Sequence, residues 1–446
     1  MATELTRIEK LSALEILDSR GRPTIKCFCA LEGGISASAS VPSGASTGGS
    51  EAMELRDGNP NRFRGLGCLN AVSNLQQVLA PALEGESFSS QAALDHRLQE
   101  LDGTSDKSNL GANTLLAVSL AFARATACSR KISLHQYFSE ILGVKPRMPR
   151  LTVNLFSGGK HAGEQVSIQD VLIVPNAESI KDSLASVYEV YQSAADGMLE
   201  RFGMRALTAD EGGLAPSFEN SIQVLEEACS AIERAGLKPG QEMHLAVDVA
   251  SSHFYKEEKY ELDGESLSGQ EMIQTLNEWA SRFPLVSIED GLHEEAWEFW
   301  PELTQALGNL CLSLGDDFLC TNPGRIRRAV ETSACNALLL KLNQVGTLSE
   351  GAEACRLARE AGWKVVVSAR SGETEDDWLA DLAFGWAADY IKVGSITSQN
   401  AWPNTIDCWK SNHPTIEVSV PQIHLSSTQT APEPPKRGGA SRNSRR

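Results

Sequence analysis

From residue 243 onward, short runs of apolar residues alternate with longer stretches in which apolar residues recur every three or four positions. The short runs, each typical of a buried strand, are 243–249, 285–288, 310–314, 337–342, 363–368 and 390–392. The longer stretches, each typical of an amphipathic helix, are 271–282, 294–307, 325–332, 348–361 and 376–386. Repeated strand-helix units build a parallel sheet, and this many in one series favour closure into a β/α barrel.

The first third of the chain has a different pattern. Residues 7–41 contain short alternating runs separated by turn signals, and 24–31 is predicted to be a strand. From 69 to 142 the periodicity is helical, and 113–128 is apolar almost all round, so we expect a central buried helix there. This region predicts an α+β domain, and the prolines and charges of 145–150 mark its end.

The predicted fold class is α/β, in three parts: an N-terminal α+β capping domain over 1–142, a β/α barrel over 143–420 and a disordered basic tail over 421–446. The tail is rich in Ser, Thr, Pro and Gly and ends in several arginines. We expect it to be solvated; a weak contact with RNA or acidic partners is the alternative.

Polar residues fall at the ends of six predicted strands. They are Asp248, Glu289, Asp316, Lys341, Ser368 and Lys392. Any one of them alone is explained as a capping or salt-bridge residue. Because the carboxyl ends of barrel strands surround one mouth, six such residues in phase predict one shared pocket.

Lys341 interrupts an apolar run and is therefore predicted to carry an ammonium group into the interior. It either reaches the sheet rim and pairs with a carboxylate, or acts as a catalytic base. Desolvation lowers the pKa of a lysine, and a metal ion or Lys392 nearby would further favour the neutral amine. The three strand-end carboxylates are hard oxygen ligands suited to Mg²⁺, which would stabilise the negative charge that forms when a proton beside a carboxylate is removed.

Composition narrows the class of protein. Of 446 residues, 41% are hydrophobic and 22% charged, so the chain can bury a large core. A formal charge of -18 argues against general nucleic-acid binding by the folded part and suits divalent cations. There is no run long enough to span a bilayer, no signal-peptide pattern and no metal-ligand spacing among the ten cysteines. We therefore expect a cytoplasmic protein in a reducing compartment.

A series of motifs resembles those of enolase, the phosphopyruvate hydratase of glycolysis and gluconeogenesis. In the first half they are Asp18-Ser-Arg-Gly-Arg-Pro-Thr24, Val41-Pro-Ser-Gly-Ala-Ser-Thr-Gly48, Glu54-Leu-Arg-Asp-Gly58, Leu101-Asp-Gly-Thr104 and Asp210-Glu-Gly-Gly213. In the second half they are Ser287-Ile-Glu-Asp290, Gly315-Asp-Asp317, Leu340-Lys-Leu-Asn-Gln-Val-Gly-Thr347, Arg370-Ser-Gly-Glu-Thr-Glu-Asp376 and Ile391-Lys-Val-Gly394. The resemblance implies an enolase-type barrel and a homodimer.

The resemblance implies a lyase that dehydrates 2-phosphoglycerate to phosphoenolpyruvate with two Mg²⁺ ions per active site. It makes Lys341 the base that removes the C2 proton and Glu211 the acid that helps the C3 hydroxide leave. A lysine base with one or two Mg²⁺ ions is the known pattern of this superfamily. The implied ligands are Asp248, Glu289 and Asp316 for the first ion and Ser46 for the second.

The resemblance also implies how a small phosphorylated carboxylate would bind. His161 matches a closing loop, Arg370 and Ser371 match phosphate contacts, and Lys392 matches a second active-site lysine. The full implied substrate-binding set is His161, Asp170, Glu289, Asp316, Ser368, Ala369, Arg370, Ser371 and Lys392. Neither a membrane nor a specific nucleic acid is an expected partner.

Several positions depart from the enolase pattern. Asp170 stands where the family has glutamate, and Ala369 stands where it has histidine, so an active-site imidazole is missing. Gly291 replaces a proline and His253 a glutamate. Residues 395–423 do not match the family's closing segment, which bears on the last barrel helix and on part of the dimer contacts. Together these changes predict a slower enzyme.

Three functions are compatible with these observations. The leading interpretation is the Mg²⁺-dependent lyase. The alternative is an enolase-like protein with little or no catalysis that acts as a structural or interaction component; Ala369 and the basic tail favour it, and the intact Lys341 and Glu211 oppose it. A third is metal-assisted proton abstraction from another carboxylate substrate, which the implied phosphate contacts of Arg370 and Ser371 oppose.

Overall fold

The computed structural model describes residues 5–45, 48–203 and 207–397. They form an N-terminal domain built on a four-stranded antiparallel sheet and a closed eight-stranded barrel with helices around it. The predicted fold class is therefore confirmed. The predicted tail lies outside the described residues, and the domain limits at 142 and 420 stay predictions.

The N-terminal sheet has the strand order β3-β2-β1-β4. Its strands are β1 (Thr6–Leu17), β2 (Pro23–Leu31), β3 (Ile35–Ser40) and β4 (Ser87–Phe88). Along β2, Ile25, Cys27 and Cys29 are fully buried on one face, as the two-residue period of a strand requires. These two cysteines are thus small core residues.

Helices cover one face of this sheet. They are α1 (Leu69–Asn74), α2 (Ala80–Leu83), α3 (Gln91–Asp102), α4 (Ala112–Ser129) and α5 (Leu134–Leu142), with a π-helical turn over Leu75–Leu79. Helix α4 is buried along nearly its whole length and packs on β2 and β3. The expected central helix at 113–128 is therefore confirmed, and its many alanines let the neighbouring elements approach closely.

The barrel closes in the order β11-β12-β13-β14-β15-β5-β6-β7. Its strands are β5 (Arg150–Ser157), β6 (Asp170–Pro175), β7 (Met243–Asp248), β11 (Leu285–Glu289), β12 (Leu312–Gly315), β13 (Ala337–Leu340), β14 (Lys364–Ser368) and β15 (Tyr390–Lys392). A small separate sheet contains β8 (Tyr255–Lys256), β9 (Lys259–Leu262) and β10 (Glu265–Leu267). All six strands predicted from the apolar runs are present in the barrel.

The helices of this part are α6 (Ile180–Phe202), α7 (Ser221–Arg234), α8 (Gly269–Arg282), α9 (Trp300–Leu307), α10 (Pro323–Thr332), α11 (Leu348–Glu360) and α12 (Trp378–Gly385). Helix α9 begins six residues later than the predicted 294–307, with a proline in its first turn. Within the described ranges, no helix is both long enough and apolar enough to cross a bilayer.

The six predicted strands pair in parallel, as expected. Strand β6, which the apolar runs did not predict, runs antiparallel to both β5 and β7. The loop over 158–169 returns the chain to the same end of the barrel at which β5 finishes, so β6 starts there. Asp170 is consequently paired in register with Ser157 and with Asp248. The reversed strand thus brings Asp170 to the mouth of the barrel.

Buried polar contacts join the two domains. Asp95 on α3 accepts hydrogen bonds from the backbone N–H (2.8 Å) and the hydroxyl (2.6 Å) of Ser349 at the start of α11. The same carboxylate accepts from Ser119 on α4 (2.7 Å). Lys107 pairs with Glu350 at 2.8 Å. These contacts hold the N-terminal helices against the first turn of a barrel helix.

Candidate active site

The six strand-end residues all lie at one mouth of the barrel. A cleft of about 420 Å³ opens there, and Ala45 of the N-terminal domain also reaches it. The described residues that line it are Ala45, His161, Gln169, Glu211, Asp248, Ala250, Asp290, Asp316, Asp317, Lys341, Ser368, Ala369, Arg370, Ser371 and Lys392. The structure thus brings nearly all predicted site residues together; Asp170 and Glu289 contact lining residues, and Ser46 lies outside the described residues.

Lys392 joins two of the predicted metal ligands. Its Nζ donates to Oδ2 of Asp248 at 3.0 Å and to both carboxylate oxygens of Glu289 at 2.9 Å. Burial lowers the pKa of Lys392, but the two carboxylates outweigh burial and raise it well above its ordinary value. The same ion pairs more than offset burial at Asp248, whose pKa is lowered. Lys392 is therefore held as a cation between two buried carboxyl groups.

Lys341 forms an ion pair with Asp316, and about a tenth of each side chain is exposed. Burial lowers the pKa of this lysine, yet the Asp316 carboxylate outweighs burial and raises it. This contact favours the charged amine, because the opposite charge is adjacent; the neutral amine expected beside a metal ion stays a prediction. A cation bound to Asp316 would oppose that effect and favour the neutral amine.

The donor set at the mouth fits Mg²⁺. Asp248, Glu289 and Asp316 are buried carboxylates with hard oxygen atoms. Burial and the neighbouring Asp316 raise the pKa of Asp317 to about 7, and burial with Asp248 raises the pKa of Glu289. Asp317 and Glu289 are therefore costly to ionise here, and a divalent cation would offset that cost.

The predicted ligands are not yet gathered around one point. Among the described residues, the two clusters whose ligand atoms lie within 4.8 Å of one another are Asp290, Asp316 and Asp317, and His161, Asp170 and Glu211. The predicted ligands Asp248, Glu289 and Asp316 do not form such a cluster. Their carboxylates pair instead with Lys392 and Lys341. Cation binding there requires the ammonium groups to draw back.

His161, Asp170 and Glu211 form a second charged group across the cleft. Nδ1 of His161 lies 2.9 Å from Asp170 and Nε2 lies 3.7 Å from Glu211. Burial lowers the pKa of His161, but the two carboxylates outweigh burial and raise it to about 9. Asn154 donates to Glu211 at 2.8 Å and Ser157 to Asp170 at 2.6 Å. Asp170 thus reaches the imidazole although it is shorter than glutamate.

Arg370 and Ser371 lie where β14 leaves the barrel and meets the N-terminal domain. The guanidinium of Arg370 pairs with Glu51, and Nη1 of Arg20 donates to Oγ of Ser371 at 2.8 Å. Gly372 and Ser43 exchange two backbone hydrogen bonds of 2.8 and 3.0 Å. The phosphate contacts implied by the sequence are therefore held by both domains.

Comparison with known families agrees with this geometry. Residues 8–138 match the model of the enolase N-terminal domain, and residues 145–402 match that of the enolase C-terminal TIM barrel domain. The second match alone covers more than half of the chain. The chain belongs to the enolase family. Its class is therefore that of an enolase-like lyase, and the acidic groups at the mouth are where a metal ion could bind.

Within this enolase-family site, sequence reasoning missed several polar residues. Asp290 accepts hydrogen bonds from the backbone N–H groups of Asp316 (2.9 Å) and Asp317 (2.7 Å) and so fixes that loop. Asn154, Glu51 and Gln344 each contact a predicted residue. The sequence did signal Asp290, because it stands beside Glu289 at the end of an apolar run. Asn154, Glu51 and Gln344 either follow no apolar run or are amides, so their sequence context does not indicate the contact.

Ala369 is the clearest local departure from the family pattern. Its methyl group lines the cleft between Ser368 and Arg370, and its backbone N–H donates to the carbonyl of Lys392 at 2.8 Å. The backbone at this position is therefore held by the barrel sheet. What is lost relative to the family is the side chain alone.

Proposed function

We propose that this enolase-family chain dehydrates 2-phosphoglycerate to phosphoenolpyruvate in a Mg²⁺-dependent reaction, at a rate below that typical of its family. The observation that supports this most is that Lys341 and Glu211, a base and an acid candidate from distant parts of the chain, line one cleft together with Arg370. The proposal assigns them the two proton transfers of the reaction.

Lys341 is assigned removal of the C2 proton through its Nζ. Its side chain is nearly buried, so water does not compete for the amine. Glu211 is assigned protonation of the leaving C3 hydroxyl. Asn154 holds one of its oxygens at 2.8 Å, which leaves the other oxygen to face His161 and the cleft.

Asp248, Glu289 and Asp316 would hold the first Mg²⁺, and Ser46 the second. When bound, the metal supplies positive charge next to the substrate carboxylate, where negative charge increases as the C2 proton leaves. Lys392, which contacts Asp248 and Glu289, would supply a further positive charge in the same part of the cleft. The substrate phosphate is assigned to Arg370, Ser371 and His161.

The lower rate follows from three departures. Ala369 supplies no imidazole, and Asp170 holds its carboxylate one methylene further back than glutamate would. The third departure starts directly behind the acid: Ser395 donates its backbone N–H to the carbonyl of Glu211 at 2.8 Å, and Thr397 donates its hydroxyl to that of Gly212 at 2.6 Å. We propose that the altered segment after residue 394 positions Glu211 differently.

The test is an absorbance assay of phosphoenolpyruvate formation by the full chain with Mg²⁺ and 2-phosphoglycerate. Turnover should be lost in Lys341→Ala and on chelation of Mg²⁺, whereas Lys364→Ala, which removes a half-exposed lysine at the start of β14, should retain it. Loss of the base is expected to cost roughly a hundredfold or more.

Wild-type protein that binds Mg²⁺ by calorimetry but never turns over 2-phosphoglycerate would contradict the lyase and favour the structural or interaction role. Turnover of a carboxylate without a phosphate would favour the third function. We also propose a cytoplasmic location and a homodimer; fractionation of cells that express the chain tests the first.

A further inference from the structure

Glu51 follows the Gly/Ser-rich loop that carries Ser46 in the sequence. Its side chain is only 6% exposed and pairs with Arg370, whose side chain is 4% exposed. Arg370 lines the cleft, whereas Glu51 is not among the described residues that do so. Glu51 therefore contacts the arginine without facing the position proposed for substrate.

The pair has the two-pronged geometry that fixes a guanidinium plane. Nη1 of Arg370 donates to Oε2 of Glu51 at 3.1 Å, and Nη2 donates to Oε1 at 3.3 Å. Nη1 also donates to Oδ1 of Asn343 at 3.2 Å. Such parallel bonds restrict both the position and the orientation of the arginine.

Glu51 also contacts the residues around the proposed base. Its Oε1 accepts from Nε2 of Gln344 at 3.3 Å, and that same amide nitrogen donates to Oδ1 of Asp316 at 2.9 Å. Oε1 of Gln344 in turn accepts from Thr321 at 2.6 Å. Gln344 is almost fully buried, so its amide cannot reorient without leaving one of these partners unsatisfied.

Backbone N–H groups of this loop donate hydrogen bonds to Glu51 and to Gln344. The N–H of Gly48 donates to Oε1 of Glu51 at 3.1 Å, and the N–H of Ala52 donates to the carbonyl of Gln344 at 2.8 Å. One oxygen of Glu51 thus contacts the loop backbone, Gln344 and Arg370.

We propose that Glu51 is a positioning residue that couples loop residues 48–52 to Arg370 and, through Gln344, to Asp316. This inference rests on the proposed function, in which Arg370 binds the substrate phosphate. With Glu51 in place, the guanidinium is already oriented when the anion binds. A misplacement near 1 Å can lower the reaction rate about a hundredfold.

A different role for Glu51 would change anion binding in the opposite direction. If Glu51 only neutralised Arg370, the removal of its charge would strengthen the field at the cleft and tighten anion binding. If Glu51 positions Arg370, the removal of its charge weakens anion binding. The direction of change in one substitution therefore separates the two roles.

Glu51→Gln preserves the size of the side chain and removes its charge. We expect KM for 2-phosphoglycerate to rise roughly tenfold to a hundredfold, while kcat stays within about threefold, because a contact made equally by substrate and transition state is weakened. The matched control is Glu294→Gln, since Glu294 is a carboxylate that also accepts a hydrogen bond from this loop, from the N–H of Gly49 at 2.9 Å. KM of the control should stay near the wild-type value.

A double-substitution cycle distinguishes positioning from a general loss of structure. Arg370→Lys keeps the charge but cannot form the two-pronged pair. If Glu51 acts through Arg370, Glu51→Gln should raise KM far less in that background than in the wild type. Equal effects in both backgrounds would overturn the proposal. Glu51→Asp, which keeps the charge, should give a smaller rise than Glu51→Gln and replaces it if the latter does not fold.

Binding of inorganic phosphate, measured by calorimetry, separates this inference from the proposed function. A wild-type chain without turnover would overturn the function, and Glu51→Gln should still weaken phosphate binding about tenfold or more. Unchanged or tighter phosphate binding in Glu51→Gln, with wild-type turnover intact, would overturn the positioning role and leave the function standing.

Discussion

At the scale of single residues, the site is defined by opposite charges in contact. Lys392 bridges Asp248 and Glu289, while Lys341 faces Asp316 and His161 faces Asp170. Buried charges persist because each has a partner, and removal of one partner would leave the other uncompensated. The mouth is therefore a balanced set of ions, into which a divalent cation enters by replacing lysine contacts.

Ala369 leads to the sharpest residue-scale prediction. Ala369→His restores an imidazole beside Ser368 and Arg370, and kcat/KM should rise about tenfold or more, since one acid-base group contributes at least that much. The measurement is steady-state turnover of 2-phosphoglycerate. The control is Ala235→His at the end of α7, which should leave kcat/KM unchanged. A value for Ala369→His at or below wild type would mean that the missing imidazole does not limit the rate.

At the scale of elements, direction and connection decide where side chains go. Strand β6 runs antiparallel to its neighbours and therefore starts at the mouth of the barrel, where Asp170 pairs in register with Asp248. At the joint between α3, α4 and α11, the buried carboxylate of Asp95 accepts hydrogen bonds from both domains. A change at this joint acts on the packing of elements rather than on chemistry.

Asp95 also makes that joint sensitive to pH. Burial raises its pKa from 3.8 to about 6. Between these values the folded protein holds a proton that the unfolded chain has lost, so folding stability decreases as pH rises through this window. Asp95→Asn does not titrate, so its unfolding free energy, measured with urea, should change less from pH 4 to pH 6.

At pH 4 the Asp95→Asn protein should be less stable by about 1–3 kcal/mol, because an NH2 group, which only donates, replaces one of the two oxygens that accept from Ser349, Ser119 and Gln91. The difference in unfolding free energy between the two proteins should narrow by pH 7, where the wild type itself has lost stability. Glu100→Gln, on the exposed side of α3, should remain within about 0.5 kcal/mol of wild type. Identical pH profiles for Asp95→Asn and wild type would refute the assignment.

At the scale of the whole molecule, the proposed homodimer concerns the surface of the N-terminal sheet. Leu14 and Leu17 on β1 are more than half exposed. Burial of such apolar surface favours association. Light scattering should therefore give a mass near twice the 48.1 kDa of one chain. Leu17→Glu should shift the mass towards one chain, whereas Tyr188→Glu, an exposed position on α6, should not; a wild-type mass of one chain would exclude the dimer.

Much of the site was predictable because polar residues stand out where an apolar strand ends. Lys341 and Asp316 were found in this way, and the enolase motifs added Glu211 and His161. Gln344 and Asn154 were not found, since an amide is common at many surfaces and only its neighbours show its role. Strands β5 and β6 were also missed, because their short apolar runs lie outside the series of strand-helix units.

The sequence by itself determined the class of fold, the family and most of the side chains at the mouth, because hydrophobic periodicity and motif order are local properties of the chain. Only the tertiary structure decided which charges touch. It places Lys392 on Asp248 and Glu289, reverses β6 and joins Glu51 to Arg370. The physical reason is that electrostatic and hydrogen-bond energies depend on distances between residues that are hundreds of positions apart in the chain.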